Sequence, residues 1–167
     1  MKNIIEKVDQ ALQKLLIFLM ALLFVDVMWQ VISRFILERP SSFTEELARF
    51  LLIWIGLLGA AHVYRHKMHL GVDILLHKVG HRTQVLMVKT VHAMTAAFAL
   101  SVLLYGGIEL MLLSFHLEQF SPAMEINMGL VYFALPLSGL LFLLFAAQEL
   151  FTSSKQLETE TTNQELI

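Results

Sequence analysis

Residues 15–37 read LLIFLMALLFVDVMWQVISRFIL, and this stretch decides the fold. It has twenty-three residues, nearly all apolar, where about 20 at a rise of about 1.5 Å each are needed to cross the hydrocarbon of a bilayer. Its apolar residues occupy every side rather than alternating, so the segment is a helix and not a barrel strand; only those two structures satisfy their backbone within lipid. Three more runs resemble it: Leu47 to Tyr64, Lys89 to Glu109 with a continuation to Phe115, and Met128 to Phe151. The chain of 167 residues is therefore expected to be an all-α membrane protein with four transmembrane helices in a single domain over 1–151. Residues 152–167 are polar and acidic and read as a disordered tail.

Composition agrees. Hydrophobic residues make up 57 % and charged residues 16 %, against about 45–50 % and about 25 % in soluble domains. Mean hydropathy is +0.68. The balance of 12 basic and 14 acidic side chains leaves no excess to meet nucleic-acid phosphate. The absence of cysteine excludes disulfides, thiolate nucleophiles and cysteine-ligated metal clusters. The first segment is too long for a signal-peptide core, is interrupted by Asp26, Gln30 and Arg34, and lacks a small-residue cleavage site. It is expected to stay as a membrane anchor.

Orientation follows from the basic residues. Lys2, Lys7, Lys14, Arg65, Lys67, Lys78, Arg82, Lys89 and Lys155 fall on one side, and Arg34, Arg39 and Arg49 on the other. The richer side faces the cytoplasm, so both termini are expected inside. Met68, Val72, Leu75 and Val79 recur at helical spacing between the second and third segments. They suggest a short amphipathic helix lying in the cytoplasmic interface, against membrane lipid.

The helix ends carry local signals. Pro40, Ser41 and Ser42 interrupt the chain after the first helix. Ser42 and Glu45 have capping-box spacing, which starts the second helix near Phe43. Ser121 and Pro122 break the chain before the fourth helix, and Pro136 is expected to kink it by removing an amide donor.

Polar residues inside the apolar runs mark contacts. Asp26 lies midway along the first segment, where an ionised group costs about 2.5–3.5 kcal/mol and nearly always faces protein or water. Gln30 and Arg34 follow at steps of four, giving one polar stripe. Glu45, Glu46 and Arg49 form a second cluster, with Glu45 and Arg49 at ion-pair spacing. Arg34 ends the first helix on the same side and is a reasonable partner for either glutamate. Trp29 and Trp54 sit deep in their segments, away from the interfacial belt. Gly56 with Ala60, and Ala93, Ala97 and Ser101, permit close helix approach. His66 with His69 and His77 with His81 have metal-ligand spacing and could bind a metal if a third group completed them; without cysteine, and with both pairs in a basic loop, no metal is expected. His62 and His92 lie at similar depth and allow a second reading, a haem- or quinone-bearing membrane anchor. A third reading is a small homo-oligomeric channel lined by Asp26. There is no Gly-rich phosphate loop, no Ser/His/Asp set and no close pair of buried carboxylates, so no enzyme activity and no cofactor are expected.

The run Thr44-Glu45-Glu46-Leu47-Ala48-Arg49, then Trp54, Gly59-Ala60-Ala61, Arg65 and His69-Leu70-Gly71-Val72-Asp73, resembles the small membrane subunit of TRAP transporters, the DctQ-like family. These are tripartite ATP-independent periplasmic transporters. The resemblance implies a scaffold subunit of the bacterial inner membrane. It would associate with a large membrane subunit, which carries the substrate and sodium sites, and with a periplasmic substrate-binding protein. It implies uptake of an organic acid of the C4-dicarboxylate or sialic acid class. On this reading Asp26, Trp29, Gln30, Arg34, Glu45, Glu46, Arg49, Trp54, Gly56, Gly59 and Ala60 are candidates for subunit packing. Arg65, His69 and Asp73 belong to an inner-loop motif. Glu38, Arg39, Glu118 and Glu125 are candidates for docking the binding protein.

Overall fold

The computed structural model describes residues 2–36, 41–66 and 81–148. The described residues are all helical apart from turns and one isolated bridge, with no strand. Four helical spans are long and apolar enough to cross a membrane: Ile5–Phe35, Ser42–Arg65, Thr90–His116 and Met128–Gln148. The first is helix α1 (Lys2–Phe35) and the second α2 (Ser42–Arg65). The third is composite: α3 (His81–Phe98), a π-helical stretch (Ala99–Gly106) and α4 (Gly107–His116). The fourth joins α5 (Met128–Tyr132) to α6 (134–148). The expected amphipathic interfacial helix, Glu38, Arg39, His69, Asp73 and the tail from 152 lie outside the described residues.

Helix α1 shows why four apolar helices assemble in one way. Its less exposed positions are Ile5, Val8, Asp9, Leu12, Leu16, Leu19, Leu23, Asp26, Gln30 and Ser33. Apart from Val8 they alternate at steps of four and three, a 3.5-residue repeat that keeps one seam against a neighbouring helix at a shallow crossing. That neighbour is α2. Away from the seam α1 is bare: Ile17, Phe18, Phe24, Val25 and Phe35 are each at least 62 % exposed. The seam corrects one expectation. Asp26 and Gln30 share it, but the next member is Ser33 and not Arg34, which is exposed. Seven residues turn a helix to within about 20° of the starting face, whereas eight overshoot by about 80°.

Helix α2 has three faces. Thr44, Leu51, Leu58, His62 and Arg65 recur at seven, seven, four and three along one side; Thr44, His62 and Arg65 bond to α1 and Leu58 clusters with Leu12. Glu46, Trp54, Ala61 and Tyr64 turn toward the rest of the bundle. Glu45, Arg49, Leu52, Gly56, Ala60 and Val63 are exposed. The core is concentrated toward the α2 C-terminus, where Leu12, Leu58, Ala61, Tyr64, Phe145 and Ala146 pack together.

The start of α2 differs from expectation. The helix begins at Ser42 with Ser41 as the cap, and no side chain caps it. Ser42 is already inside the first turn, so its hydroxyl cannot fill the capping role. Instead the Ser41 carbonyl accepts from the Glu45 amide at 3.3 Å and the Thr44 hydroxyl at 3.0 Å.

The third and fourth spans meet through their irregularities. Pro136 cannot donate to the Tyr132 carbonyl, and the helix is interrupted at Phe133 before resuming, as the proline predicts. Gly107 lies against this break: a Cβ there would stand 2.7 Å from Leu135 Cβ and 3.0 Å from Pro136 Cδ. Gly139 lies against the wide π turns, where a Cβ would be 3.0 Å from Leu103 Cβ and from the Leu104 amide nitrogen. Two glycines thus let the broken helix and the overwide helix touch backbone to backbone.

Candidate functional site

Two polar junctions tie the bundle together, one at each end; of the residues singled out in the sequence, Asp26, Gln30, Glu46, Glu118 and Glu125 lie toward one and Arg65 on the other.

The first surrounds the connection between α4 and α5. Helix α4 ends at His116 with Leu117 as its cap, and Glu118 follows at φ 48°. The Gln119 amide bonds the Ser114 carbonyl at 3.1 Å and the Glu118 amide bonds that of Phe115 at 3.2 Å. This is a Schellman cap with glutamate at the position glycine usually takes. The chain then pairs Phe120 with Asn127. The Ser121 amide donates to the Ile126 carbonyl at 2.9 Å, and Met128 to Gln119 at 2.8 Å. Asn127 caps α5, its Oδ1 accepting from the Gly129 amide at 2.8 Å.

Glu46 pins this connection to α2. Its Oε2 accepts from the Ser121 hydroxyl and from the amides of Ala123 (3.1 Å) and Met124 (3.0 Å). Both Glu46 and Ser121 are buried. Three donors on one carboxylate satisfy a buried charge without a cation. Glu45, one residue earlier, is 100° round the helix and exposed, with Arg49 Nη2 3.6 Å away. The expected pairing of Arg34 with either glutamate does not form, because their carboxylates turn to these other groups.

On the same side, Gln30 Nε2 donates to Asp26 Oδ2 at 2.7 Å and to the Thr44 carbonyl at 3.0 Å. Asp26 is buried in the α1–α2 seam. Gln30 is level with the first turn of α2, so Asp26 lies about 6 Å below that level, about one helical turn.

The second junction lies at the opposite end, and sequence reasoning missed its centre. Asp9 of α1 accepts from His62 Nδ1 (3.1 Å), Arg65 Nε (3.2 Å) and His66 Nε2 (3.1 Å). Arg65 also donates Nη1 to Gln148 Oε1 at 2.8 Å and lies over the Phe145 ring at 5.2 Å. One guanidinium therefore joins α1, α2 and α6. Expected in a loop motif, Arg65 is the last residue of α2. The signal for Asp9 was present: it occupies a seam position between Ile5 and Leu12. Asp9, His62 and His66 hold their ligand atoms within 4.8 Å of one another, close enough for a metal ion. Arg65 already supplies the cationic partner of this carboxylate, which disfavours a dication.

His92 engages Tyr64, Nδ1 to hydroxyl, at 2.7 Å. The two histidines considered for a haem are thus turned to separate partners, His62 to Asp9 and His92 to Tyr64.

The remaining candidates divide by exposure. Trp54 is half-buried, with its ring 6.4 Å from that of Phe133. Trp29 is 50 % exposed. A Cβ added at Gly56 or Gly59 would meet nothing within 4 Å, so these small residues do not serve packing inside this chain. Glu118 and Glu125 are exposed, both with positive φ, on the connection that Glu46 holds.

Comparison with known proteins places this architecture. Residues 23–156 match the family model described as tripartite ATP-independent periplasmic transporters, DctQ component. The chain is 29 % identical over 142 residues to a putative TRAP transporter small permease protein of Haemophilus influenzae, covering 84 % of this chain and 86 % of that one. It is 24 % identical over 153 residues to the sialic acid TRAP transporter small permease protein of Vibrio cholerae (89 % and 84 %). It is 27 % identical over 157 residues to the ectoine TRAP transporter small permease protein of Halomonas elongata (93 % and 77 %). These relatives are permease subunits and not enzymes.

Proposed function

The chain belongs to the DctQ component family of tripartite ATP-independent periplasmic transporters, and from that premise we propose that it is the stationary small subunit of such a transporter. It sits in the bacterial inner membrane with both termini cytoplasmic. It holds a large membrane subunit in the bilayer, and a periplasmic binding protein delivers substrate to the pair. Transport is sodium-coupled uptake of an organic acid. The relatives include proteins named for sialic acid and for ectoine, so similarity in this subunit does not fix the substrate; specificity belongs to the other two chains.

One observation supports the scaffold reading above others. The carboxylates turned into the bundle are partnered within it: Asp26 by Gln30, Glu46 by the α4–α5 connection, and the partly buried Asp9 by Arg65. A frame must keep its shape while another domain slides against it, and cross-bonds at both ends supply that. The basic residues support the orientation: the Asp9–Arg65 end is the cytoplasmic one, and the connection held by Glu46 faces the periplasm. Of the packing candidates, Trp29, Arg34, Glu45, Arg49, Gly56 and Ala60 are exposed and make no packing core inside this chain. Asp26, Gln30, Glu46 and Trp54 act within this chain.

The test is purification of the tagged chain from its native membranes in mild detergent, with mass spectrometry and an absorption scan of the same sample. A stoichiometric large polytopic subunit is the expected result. A soluble redox partner with a Soret band, or transport by this chain reconstituted alone, overturns the reading.

A further inference from the structure

Four surfaces of the bundle are bare at membrane depth: α1, one side of α2, the outer side of the third span, and a wholly apolar stripe of the fourth at Leu130, Phe133, Leu140 and Leu144. They differ in chemistry. Between Leu15 and Ile36 the exposed side of α1 is apolar except for Arg34 near its end. The exposed side of α2 carries Leu52, Gly56, Ala60 and Val63, with the Glu45–Arg49 pair near its start. The third span exposes Ser101, Tyr105 and Glu109, four residues apart, among Leu100, Val102, Ile108, Leu112 and Leu113.

Ser101 is satisfied by its own helix, its hydroxyl donating to the Ala97 carbonyl at 2.7 Å. Glu109 has no hydrogen-bond or ion-pair partner among the described residues. Its depth is fixed by Gly107, whose Cα packs on Leu135 and Pro136. Pro136 is eight residues into a fourth span of 21 residues, which at about 1.5 Å per residue is about 12 Å from the end of that span. Glu109, two residues nearer the surface, is about 9 Å in. Side chains of a helix lean toward its N-terminus, so Glu109 leans deeper into the hydrocarbon and not up to the nearby headgroups. Tyr105, 69 % exposed, lies deeper still, away from the interface where tyrosine is usually found. A carboxylate in such a place faces protein or water.

We propose that the outer face of the third span, centred on Tyr105 and Glu109, is the surface on which the large membrane subunit docks, with a cationic or hydrogen-bond-donating side chain of that subunit opposite Glu109, while α1 faces lipid. The proposal rests on the small-subunit reading above. Charge selects the occupant. A second copy meeting this face symmetrically would bring two Glu109 carboxylates together, and lipid tails offer no donor.

The test uses the full chain co-expressed with the large subunit of its own transporter. A photo-crosslinking amino acid is placed at Tyr105 or Leu112, and for comparison at Phe24 on α1 or Leu52 on α2. Crosslinks to the large subunit from Tyr105 and Leu112, and none from Phe24, are expected. In parallel, Glu109→Leu should lower the yield of purified complex at least fivefold without lowering the melting temperature of the chain alone, and Glu109→Gln should retain half or more. If the complex forms but neither position crosslinks to it, or if Tyr105 crosslinks to a second copy, the face is wrong. Unchanged complex yield for Glu109→Leu also overturns it. Failure of the unmodified chain to bring down any large subunit would instead remove the small-subunit reading, and this proposal with it.

Discussion

Glu46 and Glu118 show how a single side chain shapes the α4–α5 connection. Glu46 accepts from Ser121, Ala123 and Met124. Glu46→Ala leaves the Ala123 amide and the Ser121 hydroxyl without this acceptor and the Met124 amide with only a long bond to Ser121 Oγ (3.4 Å), so we expect a lower melting temperature and new protease cleavage within residues 117–127; both are read on the purified chain in detergent. Glu46→Gln keeps an acceptor and should fall between. Glu118 occupies a left-handed position at a helix end, where a Cβ is unfavourable. Glu118→Gly is expected to stabilise the chain by about 0.5–1 kcal/mol, seen as a raised melting temperature. Unchanged or reduced stability would show that the Schellman cap does not govern this turn.

At the scale of elements, the glycines divide into two kinds. Gly107 and Gly139 are contact glycines between the third and fourth spans. Gly107→Ala puts a methyl group 2.7 Å from Leu135 Cβ, and overpacking of this kind costs about 1–3 kcal/mol. Gly56 faces open space. Gly56→Ala should leave the isolated chain unchanged or stabilise it by up to about 1 kcal/mol through helix propensity. Thermal unfolding of the two variants side by side checks the contrast. The α1–α2 seam makes a second element-scale prediction. Asp9→Ala removes the group that gathers His62, Arg65 and His66, and leaving a partly buried guanidinium short of its anion costs about 1–3 kcal/mol. Hydrogen exchange should rise at the N-terminal half of α1 and at the end of α2, and not at the α4–α5 connection.

For the whole molecule, the two junctions lie at opposite membrane surfaces, and only one of them presents exposed acidic groups beside the periplasm on the proposed orientation. Charge reversal at Glu118 and Glu125 together is therefore expected to weaken binding-protein-dependent uptake in proteoliposomes. The same variant should still assemble with the large subunit. Glu46, though acidic and close by, is unsuitable for this experiment because it is buried. Equal uptake by the charge-reversed and native complexes would remove this connection as a docking surface.

The amino-acid sequence determined the class of the protein: four apolar runs of membrane-spanning length, the breaks at Pro40, Ser121 and Pro136, and a family motif around Glu45 and Trp54. Those features are local, and lipid allows little other than helices for such runs. Which helix faces which was not legible in the same way. A residue in an apolar run looks alike whether its neighbour is lipid or protein, since hydrophobicity does not separate the two inside a membrane. The seam of α1 could be extracted from its 3.5-residue repeat, but a polar stripe drawn at steps of four took in Arg34 and missed Ser33 and Asp9. Only the tertiary structure decided that Glu46 holds a connection 75 residues away, that Gly56 faces outward while Gly107 is in contact, and that Glu109 is left without a partner among the described residues. Those outcomes depend on the rotation of each helix about its axis, which is set by the sum of contacts with its neighbours and not by its own sequence.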